Sequence, residues 1–181
     1  MIWLELSAAS VSHLKKAFLR IFLDTEFTDF VNPKLIAVGL ISESGQEFYA
    51  ELTDGWQPEQ CSPFVVDAVL PCLDRHPTSN LNRIDAGEQV LSWLASIADK
   101  VSVVSDAHVD WHLVFGMLPP GHRDRMAIEY QILQWPGAAM ARHHQLLLND
   151  YLGAGVKRHH ALVDARALRN AVLQTEADFR K

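Results

Sequence analysis

The stretch Ile21–Phe30, IFLDTEFTDF, sets the problem that the rest of the chain answers. Ile21, Phe22 and Leu23 read as a buried strand, and that strand ends in two carboxylates one residue apart, Asp24 and Glu26. In a strand, residues i and i+2 share a face and lie about 6.5–7 Å apart, so both acids aim at one point. Left bare, they raise each other's pKa or destabilise the strand end; a bound cation resolves this. For the pair alone, the simpler reading is that both acids point into solvent, as most do.

Working outward, RIFLDTEF is a first strand, and KLIAVGLIS (34–42) is an almost unbroken apolar run, the mark of a central strand covered on both faces. ESGQ supplies a turn at Gly45, from which EFYAELT (47–53) returns as a hairpin strand. CSPFVVDAVLPCL (61–73) is expected to be a short helix, capped by Ser62, opened by Pro63 and limited by Pro71. HPTSNLNR reads as loop, and residues 84–99 as a helix with Val90, Leu91, Leu94 and Ile97 on one face. VSVVS (101–105) is a buried strand, and DWHLVFGML (110–118) a short helix stopped by Pro119-Pro120-Gly121. RMAIEYQIL (125–133) fits a strand or a helix, with the strand preferred; GAAMARHHQLLLNDYLG (137–153) is a helix, and after GAGVK the helix ALVDARALRNAVLQ closes the chain. Strands first, then alternating helices and strands, make an α/β layered fold around a mixed sheet.

The chain has 181 residues, 49% apolar and 21% charged, which suits one globular domain. We divide it into an N-terminal extension with helical character, 1–19, and a domain, 20–181. No stretch of about 18 apolar residues is present, so no membrane span is expected. The opening segment carries Lys15-Lys16 after its apolar part, the reverse of a secretory signal. Cys61 and Cys72 form no CxxC pair, which points to a reducing compartment, and the expected location is cytoplasmic. The net charge of −6 argues against a phosphate-rich partner only if every acid stays bare; two divalent ions would bring it to −2.

Two further acidic segments change the reading of the Asp24–Glu26 pair. VSVVSDAHVDW places Asp106 directly after a buried strand and Asp110 at the start of the next helix. HHALVDARAL places Asp164 five residues after His159, which is roughly 140° apart round a helix axis. His159 therefore belongs on the preceding loop, with Asp164 in the first turns, at the edge of a stripe formed by Ala161, Ala165, Leu168 and Val172. Among the nine histidines, adjacent His143 and His144 diverge by about 100° on their helix and do not share one ion.

The motifs DTEF (24–27), DAHVD (106–110) and HHALVDA (159–165) resemble, in order and spacing, the three motifs of the DEDDh 3′→5′ exonucleases, which include polymerase proofreading subunits, RNase T and oligoribonuclease. The resemblance covers roughly residues 20–175. The segments FLDTEFTDF, LIAVGLISESGQEFYAEL and CSPFVVDAVLP look closer still to a small bacterial exoribonuclease branch. It implies an RNase H-like mixed central sheet flanked by helices in a single domain. It also implies that Asp24, Glu26, Asp110 and Asp164 hold two Mg²⁺ or Mn²⁺ ions, with His159 as general base. Hard oxygen ligands suit Mg²⁺, and a neutral imidazole can take a proton from water. Asp106 departs from the commoner Asn at that position; it either hydrogen-bonds the motif loop or competes as a ligand. Asp110 is preferred for its spacing from the strand and the Trp111 that follows.

Thr25, Phe27, Thr28, Lys157 and Arg158 are the candidate nucleic-acid contacts. Phe27 would stack on a terminal base, Thr25 and Thr28 would bind the terminal nucleotide or cap the strand, and Lys157-Arg158 would hold phosphate or sit solvated. The expected partner is the 3′ end of single-stranded or 3′-overhanging RNA, with single-stranded DNA the alternative; the sugar choice rests on 2′-hydroxyl contacts that the sequence does not reveal. An inactive nucleic-acid-binding relative is the rival from another class, disfavoured because all four acids and the histidine are present. A homodimer follows from the resemblance alone.

Overall fold

The computed structural model describes residues 18–153 and 157–180. The expected N-terminal extension, apart from its last two residues, lies outside that range, as do residues 154–156 of the GAGVK segment.

Among the described residues, six strands form one mixed sheet in the order β4-β3-β2-β1-β5-β6: β1 (Leu19–Phe27), β2 (Leu35–Ser42), β3 (Glu47–Leu52), β4 (Asn80–Leu81), β5 (Lys100–Ser105) and β6 (Ala127–Ile132). β2 runs antiparallel to β1 and β3, whereas β5 is parallel to both β1 and β6. The helices are α1 (Arg83–Ile97), α2 (His108–Phe115), α3 (His122–Arg125), α4 (Ala138–Gly153) and α5 (Ala161–Phe179). This is the mixed sheet flanked by helices, in a single domain, that an RNase H-like fold requires.

Every residue of β2 is buried, as its unbroken apolar run demands. The period-2 alternation of β1 then sorts the two halves of the core. Ile21 and Leu23 pack with Val90, Leu91 and Leu94 of α1 and Val114 of α2; Phe22 packs with Ala165, Leu168 and Val172 of α5. The apolar stripe expected on the last helix is thus the face it lays on the sheet. Gly39 permits the close approach: a Cβ there would lie 2.3 Å from the carbonyl carbon of Ala161. At the far end of β1, Arg20 forms ion pairs with Glu43 and Glu176, and Arg169 donates to the Glu43 carbonyl at 2.6 Å. These bonds pin α5 across the sheet along its length.

The structure refines five local expectations. The 61–73 segment is helical from Pro63, with the Ser62 hydroxyl accepting from the Val65 amide at 3.3 Å, but it is not a regular α-helix. A π-turn spans Val65–Val69, with the Leu70 amide bonded to the Val65 carbonyl, and a 3₁₀ turn spans Leu70–Cys72. Pro71 has no N–H to continue an i→i−4 ladder. The HPTSNLNR stretch contains β4, two residues that pair with the end of β3. α2 starts at His108, two residues before Asp110, and ends at Phe115; α5 continues to Phe179. Within the ambiguous 125–133 segment Arg125 closes α3 and Ala127–Ile132 form strand β6.

Candidate active site

Because β1 and β5 are parallel, their C-terminal ends lie on the same side of the sheet. Their pairing stops at Phe22–Val104, so Asp24 and Asp106 sit just beyond the last paired residues. A register shift follows: Glu26 pairs with Ala37 but Phe27 with Leu35, leaving Ile36 as an extra residue on β2. Such a bulge bends the ladder and re-aims side chains, here immediately beside the carboxylates.

Alternation along β1 divides the site. The Thr25 hydroxyl, on one face, donates to Oδ1 of Asp110 at 2.7 Å, and Asp110 is buried in the first turn of α2. Glu26, on the other face, meets His159 and Asp164, whose ligand atoms and its own all lie within 4.8 Å of one another. Asp24 lines the same cavity, of about 270 Å³, with Glu26, His159 and Asp164. Asp24, Asp106, Arg158, His159 and Asp164 line a smaller adjoining one. A larger cavity, of about 520 Å³ between α2 and β6, contains none of these acids.

His159 stands on the loop before α5, and Asp164 in its first turn. The His159 amide donates to Oδ2 of Asp164 at 2.9 Å, and His159 itself adopts the left-handed backbone region, with φ of 61°. That conformation is uncommon for a residue with a Cβ and marks a locally imposed geometry. His160 is the N-cap residue of α5; it points away from the carboxylates, with Nε2 3.1 Å from Asp74.

The electrostatics show what the site needs. Burial pushes the Glu26 carboxyl up to about 8, with Asp164 and Asp110 adding to the effect. Burial raises Asp110 to about 7 against the opposing hydrogen bond from Thr25. Asp24 is driven well above the carboxylate range by burial first, then by Asp110, Glu26, Asp164 and Asp106. Asp164 is raised by burial despite the His159 amide, and its Oδ1 is buried with no partner among the described residues. Four acids whose carboxyls are all raised fit divalent-cation binding, as hard oxygen donors and clustered negative charge, although Asp110 lines neither site cavity. Asp24, Glu26 and Asp164 could hold such ions from the α5 side, and Asp110 from the α2 side.

No protein-family model matches the chain, and no curated protein matches it.

The candidate nucleic-acid contacts separate into two groups. Phe27 lines the larger site cavity and meets Phe30 edge-on at 5.0 Å; Arg158 lines the smaller one. Thr25 borders the cavity, but its hydroxyl is committed to Asp110. Thr28 is fully buried, and its hydroxyl accepts from the Lys34 amide at 3.1 Å. That bond ties the strand end to the start of the next strand's approach at Lys34. Lys157 donates to the Cys72 carbonyl at 2.8 Å and lies 3.8 Å from Asp74, so it tethers its own loop.

Sequence reasoning did not single out Phe30 and Phe64. Phe30 is 86% exposed, on a turn where Asp29 accepts from the Val31 and Asn32 amides. Phe64 is 57% exposed and meets the His159 ring edge-on at 5.0 Å. Both border the cavity. The available signal for Phe30 was its place in IFLDTEFTDF; nothing local marks Phe64, since its meeting with His159 is a tertiary event.

Proposed function

We propose that this protein is a metal-dependent 3′→5′ exonuclease that hydrolyses terminal phosphodiester bonds of single-stranded or 3′-overhanging RNA and releases nucleoside 5′-monophosphates. The observation that carries the reading is the meeting of Glu26, His159 and Asp164 within 4.8 Å at the end of a strand that also bears Asp24. Mg²⁺ or Mn²⁺ ions, two in number and held by Asp24, Glu26, Asp110 and Asp164, would supply positive charge to the scissile phosphate and the leaving oxygen.

The chain's own groups do the rest. His159 accepts a proton from the water that attacks phosphorus, so the new P–O bond forms as the bond to the 3′-oxygen breaks. The released 3′-oxygen takes its proton from solvent. Phe27, Phe30 and Phe64 offer ring faces and edges to the terminal base, and Arg158 offers a guanidinium to a phosphate oxygen. The choice of RNA follows the likeness of FLDTEFTDF and its neighbours to the bacterial exoribonuclease branch. Among the described residues no helix is long and apolar enough to cross a membrane, and Cys61 and Cys72 are free thiols. A reducing, cytoplasmic setting is part of the proposal.

Incubation with Mg²⁺ and matched 3′-labelled and 5′-labelled RNA and DNA oligomers tests it. The expected result is a shortening ladder from 5′-labelled RNA, immediate release of labelled mononucleotide from 3′-labelled RNA, and slower loss of DNA. Internal cleavage, or intact RNA in both Mg²⁺ and Mn²⁺, would overturn the reading.

A further inference from the structure

His159 holds an uncommon backbone conformation on a loop with little regular structure of its own, so something outside the loop must impose it. His159 itself bonds Asp164 through its amide and meets the Phe64 ring, and the residues on either side of it are held from a third direction. Residues 72–74, at the end of the irregular helical segment, touch three of the four residues 157–160. The Cys72 carbonyl accepts from Lys157 at 2.8 Å, and the Cys72 thiol lies 3.3 Å from the Arg158 carbonyl. Oδ2 of Asp74 lies 3.1 Å from Nε2 of His160.

Behind Asp74 stands a buried acid that the proposed chemistry does not use. Glu51, on β3, is 4% exposed and accepts from the Asp74 amide at 2.6 Å, the Arg75 amide at 3.1 Å and the Tyr49 hydroxyl at 2.7 Å. The Tyr49 ring stacks on His160, with centroids 4.4 Å apart. His160 is thus gripped on its face by Tyr49 and at its edge by Asp74, and both grips trace back to Glu51.

We propose that Asp74, acting through His160, is a positioning residue for His159, with Glu51 as its anchor. The inference rests on the reading of His159 as the proton acceptor. It assigns to a residue far in sequence from the three motifs the task of keeping that imidazole against Glu26 and Asp164. Asp74 touches no reacting atom; it holds the residue next to the one that does.

The test compares Asp74→Ala, Asp74→Asn and His160→Phe with the parent protein. Asp74→Asn keeps an acceptor oxygen, and His160→Phe keeps the stack on Tyr49 without the hydrogen bond. Asp74→Ala and His160→Phe should lower kcat on RNA by roughly 10–100-fold, the usual size of an outer-shell loss, with KM and calorimetric Mn²⁺ affinity little changed. Asp74→Asn should recover most of the rate. In a His159→Ala background, Asp74→Ala should add no further loss, because its effect passes through His159. A second readout needs no turnover: the His159 amide, bonded to Asp164, should lose hydrogen-exchange protection in Asp74→Ala and His160→Phe and keep it in Asp74→Asn. If the parent hydrolyses nothing, the nuclease reading fails while the exchange measurement still decides whether Asp74 holds the loop. Unchanged protection of the His159 amide in Asp74→Ala, or a loss additive with His159→Ala, would overturn the proposal.

Discussion

The hydroxyl of Thr25 donates to Oδ1 of Asp110 at 2.7 Å, joining β1 to the first turn of α2 beneath the carboxylate cluster. Both residues are buried, so the bond sets where Asp110 presents its second oxygen. Asp106, four residues earlier, is exposed and borders the smaller cavity with Asp24 and Asp164.

That difference predicts unequal roles for the two acids. Asp110→Asn should cost far more activity than Asp106→Asn, and Thr25→Val should cost about tenfold by releasing Asp110 from its orientation. Steady-state rates on labelled RNA in Mg²⁺ decide this. Equal losses in the two Asp variants would mean that Asp106 shares the ligand role.

The crowded acids also predict an inverted pH dependence of stability without metal. Glu26 is raised to about 8 and Asp110 to about 7, with Asp24 and Asp164 also raised. A group whose folded pKa exceeds its unfolded value, about 4 for a carboxyl, binds more protons when folded. Its stabilising contribution is complete below pH 4 and is lost as pH rises towards 8. Thermal melts in chelator should therefore show Tm falling between pH 5 and pH 9, and saturating Mn²⁺ should remove most of that fall. Glu26→Gln should melt higher than the parent at pH 8 in chelator, yet show no hydrolysis. A flat profile in chelator would mean that the acids are not crowded in solution.

For His159, the geometry predicts a loss of function without loss of metal. His159→Ala should reduce hydrolysis by roughly 10²–10⁴, the range for a removed general base, while calorimetric Mn²⁺ titration still reports binding. His160→Ala should cost less, because His160 points to Asp74 and Tyr49 and not to the carboxylates. If His160→Ala were the inactive variant, the reading of His159 as base would be lost.

Gly39 supplies a prediction that joins stability to function. Any Cβ there meets the Ala161 and Leu162 backbone at 2.3–2.4 Å, in a contact no rotamer can relieve. Gly39→Ala should destabilise by about 1–3 kcal/mol, as overpacking does, and push the start of α5 off β2. Asp164 is three residues further on, so activity should fall by more than the folded fraction does. Denaturant melts beside rate measurements separate the two effects.

Most of the element order, though not the short β4 and α3, was legible in the sequence, with the buried central strand, the amphipathic helices and the separation of His159 from Asp164, because each follows from local rules: period, caps, turn residues and helix pitch. The candidate site residues came instead from the resemblance of DTEF, DAHVD and HHALVDA to the exonuclease motifs. What Asp24 and Glu26 face, why Thr25 and Asp110 meet on the opposite side, and which of the expected contacts are buried were decided only when the sheet assembled. The β1–β5 pairing brings the two acidic strand ends together, and the bulge at Ile36 bends the ladder beside them. Phe64 and Asp74 illustrate the same division. Neither carries a local signal, and each gains its role by touching a loop about 85–95 residues away in the chain. The π-turn differs again: Pro71 marked the far end of the helix, but nothing local marked the widening at Val65–Val69, whose ends pack against Ile36. Local propensity carries information over a few residues, whereas burial and side-chain contact belong to the folded chain as a whole.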